Sequence, residues 1–166
     1  MPHKRRRVRE KVLQALYAFE LSGESTDSVI ANIISDLRKN RDSYDFAKLF
    51  FLKVVDSKEE LDKLIKKQVA NWEFTRLAVI DKIVLRMGIC ELLYFDDIPP
   101  KVTINEAIEI AREYSTEKSD KFVNGVLDAV LDDLKQSGEL KKQGRGLQDG
   151  AARKKPETPL RPPTSE

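Results

Sequence analysis

The sequence contains one cysteine and one histidine, Cys90 and His3. One cysteine cannot form an internal disulfide, and the two residues together cannot supply the four Cys/His ligands of a structural zinc site. A cysteine–histidine catalytic pair is also disfavoured, because His3 lies close to a chain terminus, where ordering is usually poor. We therefore predict no metal and no cofactor, and this residue usage is typical of the reducing cytoplasm.

Long apolar runs and familiar catalytic motifs are absent as well. No apolar run approaches the ~18 residues of a transmembrane helix, and no apolar segment follows the basic N-terminus as it would in a secretory signal. The sequence has no Gly-rich phosphate loop, Walker A motif or His-Glu-x-x-His motif. Two acidic pairs, Asp96-Asp97 and Asp132-Asp133, join adjacent residues, which point apart on a helix. We predict a cytoplasmic protein that has no catalytic residues and does not associate with membranes.

Glycine and proline are scarce until the last segment of the chain. Between Pro2 and Pro99 there is no proline, and the glycines there are Gly23 and Gly88. Residues 138–166 instead hold four of the seven glycines and four of the seven prolines, with few large apolar residues. Such a segment cannot bury enough apolar surface to offset the entropy lost on ordering. We predict a helical domain over 1–137 and a disordered basic tail over 138–166.

Apolar residues in the first 137 positions recur mostly at spacings of three and four, which predicts helices. The fourth and sixth helices begin at predicted capping boxes, which start at Ser57 and Thr103. The fifth is apolar around most of its circumference, so we expect it to be central. The sequence thus predicts an all-α fold, a compact bundle of about seven helices over 4–21, 28–39, 43–56, 57–72, 75–95, 103–114 and 118–136.

The net charge of +2 conceals two basic ends on an acidic body. Residues 1–11 carry a net +5 and residues 138–166 a net +3, whereas residues 12–137 carry −6. Basic ends of this kind favour an anionic polymer as partner, although a solvated terminus is the simpler alternative. Cations at the start of a helix oppose its dipole, and arginine matches phosphate through its planar fork. The cluster comprises Lys4, Arg5, Arg6, Arg7, Arg9 and Lys11.

Two further features have more than one interpretation. On the apolar fifth helix, Asp81, Lys82 and Arg86 must face water, a ligand or a buried partner such as an ion pair within the protein. In the last helix, Phe122 is either a core residue or a platform for base stacking, and the helical spacing favours the core. Asn124-Gly125 would ordinarily indicate a turn, but the apolar spacing continues through it, so we predict uninterrupted helix.

Taken together, ordered motifs over residues 5–134 resemble the NusB family of bacterial transcription antitermination factors. The most specific is the block Lys121-Phe122-Val123-Asn124-Gly125-Val126-Leu127-Asp128. The others are Arg5-Arg6-Arg7-Val8-Arg9-Glu10, Leu13-Gln14-Ala15-Leu16-Tyr17, Asn71-Trp72, Arg76, Ile80-Asp81-Lys82, Val84-Leu85-Arg86, Glu91-Leu92, Ile98-Pro99 and Val102-x-Ile104-Asn105-Glu106-Ala107.

The resemblance implies an RNA-binding adaptor that is not an enzyme. It implies binding of single-stranded boxA RNA in nascent ribosomal RNA, together with the small-subunit ribosomal protein NusE, in a complex with RNA polymerase. Phe122 would offer its ring to an unstacked base, and a lysine at position 118, where relatives are often acidic, would add phosphate contact. The implied NusE contacts are Tyr17 and Asp81. The implied RNA contacts are Lys4, Arg5, Arg6, Arg7, Arg9, Arg86, Lys118, Lys121, Phe122 and Asn124.

Two alternatives to this adaptor stay open. One is the NusB-like domain that is fused to ribosomal RNA methyltransferases, which requires a downstream cofactor-binding domain with a Gly-rich loop. The other is a helical protein-interaction domain whose basic ends only increase solubility. A steep fall of affinity with salt would separate RNA binding from docking through apolar patches. The resemblance also allows a homodimer, since some relatives self-associate.

Overall fold

The computed structural model describes residues 2–140, and side chains over 4–70 and 72–140. All regular elements in this part of the chain are helices, one of them a short 3-10 helix, and none is a strand, so the all-α prediction is confirmed. From residue 141 onward the predicted tail lies outside the described residues. The helices are α1 Pro2–Ser22, α2 Thr26–Asn32, the 3-10 helix Ile34–Leu37, α3 Arg41–Asp56, α4 Lys58–Lys66, α5 Asn71–Arg76, α6 Val79–Tyr94, α7 Pro100–Tyr114 and α8 Ser119–Ser137.

The chain divides in sequence into two compact units, one up to Lys58 and one from Glu59 onward. In the first unit, α1 packs against α3. Phe19 and Phe51 meet edge to face with their ring centroids 6.0 Å apart, an arrangement that the quadrupoles of the two rings favour. The core of this unit is built from Val8, Val12, Leu13, Ala15, Leu16, Val29, Ile30, Ile34, Ala47, Phe50, Phe51 and Val54.

The second unit is organised around α6, which packs against both α7 and α8. Eleven of the sixteen residues of α6 are buried, which confirms the prediction of a central helix. Gly88 permits close packing on α8: a Cβ added there would lie 2.9 Å from Cδ1 of Leu127. The helix therefore accepts a residue of poor helix propensity because a larger one would collide with its neighbour.

Two predicted helices are each divided in the structure. The helix predicted over 28–39 becomes α2 and the 3-10 helix, and the Ser25 hydroxyl caps α2 by accepting from the Ser28 amide at 3.1 Å. The helix predicted over 57–72 becomes α4 and α5, which are separated by residues 67–70. The apolar spacing continues across both breaks, which is why periodicity alone joined the segments.

The capping box predicted at Thr103 is wrong. α7 begins at Pro100, with Pro99 as its N-cap residue. Proline suits the first helical position because the amide it lacks would have had no partner there. Thr103 lies inside the helix, and its buried hydroxyl donates to Glu91 Oε1 at 3.1 Å. At the far end, the predicted C-cap Gly138 is confirmed, with a left-handed φ of 76°.

No helix among the described residues has the length and hydropathy needed to cross a bilayer.

Candidate nucleic-acid interface

A basic groove runs along the first turns of α1. Lys4, Arg7 and Lys11 recur at helical spacing, so they occupy one face of the helix. They line an open groove of about 720 Å³ with Lys39, which follows the 3-10 helix. The groove also contains the carboxylates of Glu10 and Asp36 and is completed by Val8, Gln14, Leu37, Asn40 and Ser43. Four cations against two acids make it a surface that attracts anions.

The wall of the groove opposite α1 is fixed by local hydrogen bonds. Asn40 Oδ1 accepts from the Ser43 amide at 3.0 Å and so caps α3. Lys11 Nζ donates to Asp36 Oδ2 at 2.9 Å, which ties the 3-10 helix to α1. Because Lys11 already has a carboxylate partner, Lys4, Arg7 and Lys39 are the cations that lie nearest to solvent in the groove.

The arginine cluster separates into exposed and buried members. Lys4, Arg5 and Arg7 are exposed, Arg6 is half-buried and Arg9 is buried. The Arg5 guanidinium carbon lies 3.9 Å from the centroid of the Phe46 ring, a cation–π contact that orients the side chain on α3. The exposed members are therefore the ones placed to meet an external phosphate, whereas Arg9 belongs to the packing of the first unit.

A second group of predicted residues lies at the beginning of α8. Lys118, Lys121 and Asn124 are exposed, and the positive end of the helix dipole adds to the two cations. Phe122 is only 7% exposed, so its ring packs inside the protein, as periodicity favoured. The predicted residues around Phe122 thus offer polar contacts on the surface, while the ring supports the helix from within.

Asp81 is buried at the start of α6 and is satisfied by hydroxyl groups. Ser115 Oγ donates to Asp81 Oδ1 at 2.7 Å, and Ser119 Oγ donates to Oδ2 at 3.1 Å. The two serine hydroxyls lie 3.0 Å apart, and Thr116 Oγ1 lies 2.8 Å from Ser119 Oγ. This network joins α6 to the connection between α7 and α8, so Asp81 positions the residues that begin α8.

Arg86, another of the charged residues that we singled out on α6, is paired within the protein. Its Nε and Nη2 donate to the two carboxylate oxygens of Asp62 on α4 at 2.7 and 3.2 Å. The side chains are 6% and 14% exposed, so this bidentate pair is largely removed from solvent. Of the three alternatives for the charged residues of α6, the structure shows a partner within the protein for Asp81 and Arg86.

A second arginine pair links α7 to α8. Arg112 donates to Glu109 on its own helix, and its Nη2 lies 3.3 Å from Asp120 Oδ2 at the start of α8. The pKa of Arg112 is raised, first by the nearby Glu109 carboxylate and then by the hydrogen bond to Asp120. The guanidinium therefore stays charged at every pH at which the protein is handled.

Several residues that shape these surfaces escaped the sequence analysis. Phe46 under Arg5, Lys39 in the groove and Asp62 beside Arg86 are all distant in sequence from their partners. Helical spacing identifies which residues share a face of one helix, but it does not pair faces of different helices. Tyr17, by contrast, is 41% exposed on α1, which leaves its ring available to a partner.

Fold and surface together define a class: an all-helical protein that displays clustered cations at helix ends. Comparison with known proteins makes the assignment specific. The sequence model of the NusB family matches residues 6–132. The transcription antitermination protein NusB of Chloroherpeton thalassium is 46% identical, over 96% of this chain and 79% of its own. The chain belongs to the NusB family.

Solved structures give the same result at the level of the fold. NusB from T. maritima superposes with a TM-score of 0.73 at 37% identity, over 82% of this chain and 97% of that one. A structure of the antitermination factors NusB and NusE in complex with double-stranded RNA matches with a TM-score of 0.72 at 29% identity, over 80% of this chain and 99% of that one.

Proposed function

We propose that this protein is a transcription antitermination factor that binds single-stranded boxA RNA of nascent ribosomal RNA together with NusE. It acts in the cytoplasm, in a complex with RNA polymerase, as an adaptor that performs no catalysis itself. Membership of the NusB family supports this role, because curated relatives are transcription antitermination proteins. A solved relative bound to NusE and RNA supports the two partners.

The observation that carries the proposal is the exposure of Lys4, Arg5 and Arg7 at the start of α1. When no anion is bound, cations at this end of a helix destabilise it, because they lie at the positive end of the helix dipole. Phosphate groups reverse the penalty, because each neutralised phosphate also releases a condensed counterion. Arg6 and Arg9 contribute less directly, since Arg6 is half-buried and Arg9 is buried.

The start of α8 supplies a second set of RNA contacts. Lys118 and Lys121 meet phosphates, and the exposed Asn124 amide offers both a donor and an acceptor to a base edge. The buried Phe122 ring holds these residues in place, and stacking on a base requires the ring to move outward. Arg86 acts from within the unit, because its Nε and Nη2 both donate to Asp62.

For NusE, we propose that Tyr17 is the direct contact. Its exposed ring has the size and polarity common in interface anchors. Asp81 affects NusE through the α7–α8 connection, since its carboxylate is 1% exposed and accepts hydrogen bonds from Ser115 and Ser119. Loss of NusE binding on Tyr17→Ala, with RNA binding unchanged, is the expected outcome.

The test is a titration of the full chain with labelled RNA, with and without NusE, at two salt concentrations. The RNAs are a boxA single strand, a scrambled single strand of the same composition and a boxA duplex. We expect the boxA single strand to bind most tightly, NusE to strengthen that binding and the affinity to fall steeply with salt.

Equal binding of all three RNAs, with no effect of NusE, would reject the adaptor function and leave a basic helical protein. Preference for the duplex would reject the single-stranded specificity alone. Self-association into a homodimer is the remaining alternative for the free chain, and sedimentation of the same protein sample measures it.

A further inference from the structure

The most exposed large aromatic side chain among the described residues belongs to Trp72 on α5. Its side chain is 61% exposed, and it is the single tryptophan of the sequence. The guanidinium carbon of Arg76, one turn further along α5, lies 5.7 Å from the centroid of the indole ring. A large ring that stays in water beside an arginine is a surface on which a flat, electron-rich group can stack.

Cations also surround the second aromatic ring of α5. Lys66 Nζ lies 4.7 Å and Lys82 Nζ lies 5.0 Å from the centroid of the Phe74 ring. Phe74 is buried, so the ring anchors the two lysine side chains without itself being available to a ligand. The contacts bring cations from the end of α4 and the start of α6 next to α5.

The surface charge of residues 63–82 is predominantly positive. Residues 63–82 contain five cations, Lys63, Lys66, Lys67, Arg76 and Lys82. The two acids in the same range, Glu73 and Asp81, are 5% and 1% exposed. The neighbouring carboxylate of Asp133 is half-buried and accepts from Gln68 Nε2 at 2.7 Å. The residues of the segment that face solvent therefore attract anions.

We propose that single-stranded RNA binds here, on a surface formed by Lys66, Lys67, Trp72 and Arg76, which we name the α5 surface. One base stacks on the Trp72 ring, and the cations meet the adjacent phosphates. The inference rests on the proposed function and adds to it a second contact, on elements other than α1 and α8. Aromatic rings interleaved with cations are the usual means of holding single strands.

A protein partner fits the α5 surface less well. Tryptophan and arginine are common in protein interfaces as well as in RNA-binding sites, but the centres of protein interfaces are depleted of lysine, and two of the four residues here are lysines. Phosphates spaced along a flexible strand match separate cations around one exposed ring. Exposed lysine also suits this role, since it neutralises phosphate as a point charge without a fixed geometry.

Because Trp72 is the single tryptophan, its fluorescence reports directly on the α5 surface. The full chain is titrated with unlabelled single-stranded RNA that extends beyond boxA, while the emission of Trp72 is recorded. The anisotropy of a labelled copy of the same RNA is measured in parallel. We expect quenching of Trp72 to follow the anisotropy curve, as it does when a base stacks on the ring.

Variants then separate stacking from charge. Trp72→Ala should weaken binding of the extended RNA at least about five-fold, the lower end of what one stacked base contributes, whereas Trp72→Phe should retain most of it. Lys66→Gln with Arg76→Gln should lower the slope of log affinity against log salt by about 1.4. Arg41→Gln with Lys48→Gln removes two exposed cations on α3 and is the matched control.

The outcomes distinguish this inference from the proposed function. Binding of boxA without any change in Trp72 emission, and with Trp72→Ala at wild-type affinity, would overturn the α5 surface and leave the adaptor function standing. Quenching by every single strand without preference for boxA would support the surface and count against the function. Trp72→Ala that weakens NusE but not RNA would overturn the inference in favour of a protein-docking role. No RNA binding at all would reject both.

Discussion

Asp81 accepts a hydrogen bond from the hydroxyl of Ser119, which lies 38 residues later in the chain. The carboxylate is 1% exposed and the serine is fully buried, so the bond forms away from solvent. It connects the first turn of α6 with the first residue of α8. The family resemblance implied a NusE contact for this carboxylate, but its hydrogen bonds lie within the protein and fix the start of α8, which carries Lys121 and Asn124.

Replacing Asp81 by alanine should lower the free energy of unfolding by about 2–3 kcal/mol. The variant loses hydrogen bonds from two hydroxyl groups to a charged acceptor and leaves those hydroxyls buried. Urea denaturation followed by circular dichroism measures the change. Asp45→Ala is the control, because Asp45 is exposed and its pairing with Arg41 at 3.8 Å is of the kind that contributes little. Equal effects of both variants would contradict the internal role.

The pair formed by Arg86 and Asp62 calls for a double-mutant cycle. Removing either partner breaks the bidentate pairing of a charge that lies in a largely buried place, which should cost about 3–5 kcal/mol. Replacing both by leucine should recover much of that loss, because neither charge is then stranded. The free energies of unfolding of the wild type, the two single variants and the double variant, measured by denaturant titration, give the coupling energy between the two side chains. Additive losses would show that the two side chains act independently.

Gly88→Ala tests the close approach of α6 to α8. Alanine gains about 1 kcal/mol of helix propensity over glycine. Its Cβ would, however, lie 2.9 Å from Leu127 Cδ1 and 3.0 Å from Cδ2, and overpacking of this kind typically costs about 1–3 kcal/mol. We expect a net destabilisation of about 1 kcal/mol. Leu127→Ala should then be less damaging in the Gly88→Ala background than in the wild type, which thermal unfolding of the four proteins measures.

Members of the arginine cluster should differ in what they affect. Lys4→Gln with Arg7→Gln should leave stability unchanged and lower the salt slope of RNA binding by about 1.4, since both side chains are exposed. Arg9→Gln should instead destabilise the fold, because Arg9 is 3% exposed. Measuring both unfolding and RNA affinity for each variant separates the effects. An Arg9 variant with normal stability and weak RNA binding would contradict this division.

Phe122 separates core packing from base stacking. Phe122→Ala should cost about 3–5 kcal/mol of stability, since the ring is 7% exposed. Phe122→Leu retains a buried apolar side chain and removes the aromatic face. If the ring stacks on a base, Phe122→Leu lowers the preference for boxA over the scrambled strand while the protein remains folded. An unchanged preference would restrict Phe122 to the core.

Helical periodicity predicted the class of fold because long amphipathic segments such as α1, α3 and α8 repeat every three to four residues. It failed where the apolar spacing continues across a break, as between Lys66 and Asn71, and where a helix begins at a proline ahead of the predicted start at Thr103, as at Pro100. These errors share a cause: the break depends on backbone conformation and on partners from other helices, neither of which a local pattern contains.

The candidate surfaces were predictable in part. The cations at the start of α1 are contiguous in sequence, so their exposure could be expected from composition and charge. The burial and pairing of the other site residues depend on partners that are distant in sequence. Asp81 is paired with Ser119, Arg86 is paired with Asp62, and Phe122 is packed among core residues. The family resemblance supplied roles for these residues, but whether a role is direct or passes through packing becomes visible only in the folded chain.

The thiol of Cys90 allows the rate at which the second unit opens to be measured chemically. It is the single thiol of the sequence and lies fully buried on α6. An alkylating reagent therefore reacts only when this region opens, so the labelling rate at high reagent concentration equals the opening rate. RNA or NusE that binds the closed form should slow the labelling in proportion to its occupancy, and this allows ligand binding to be followed without attaching a probe to the protein.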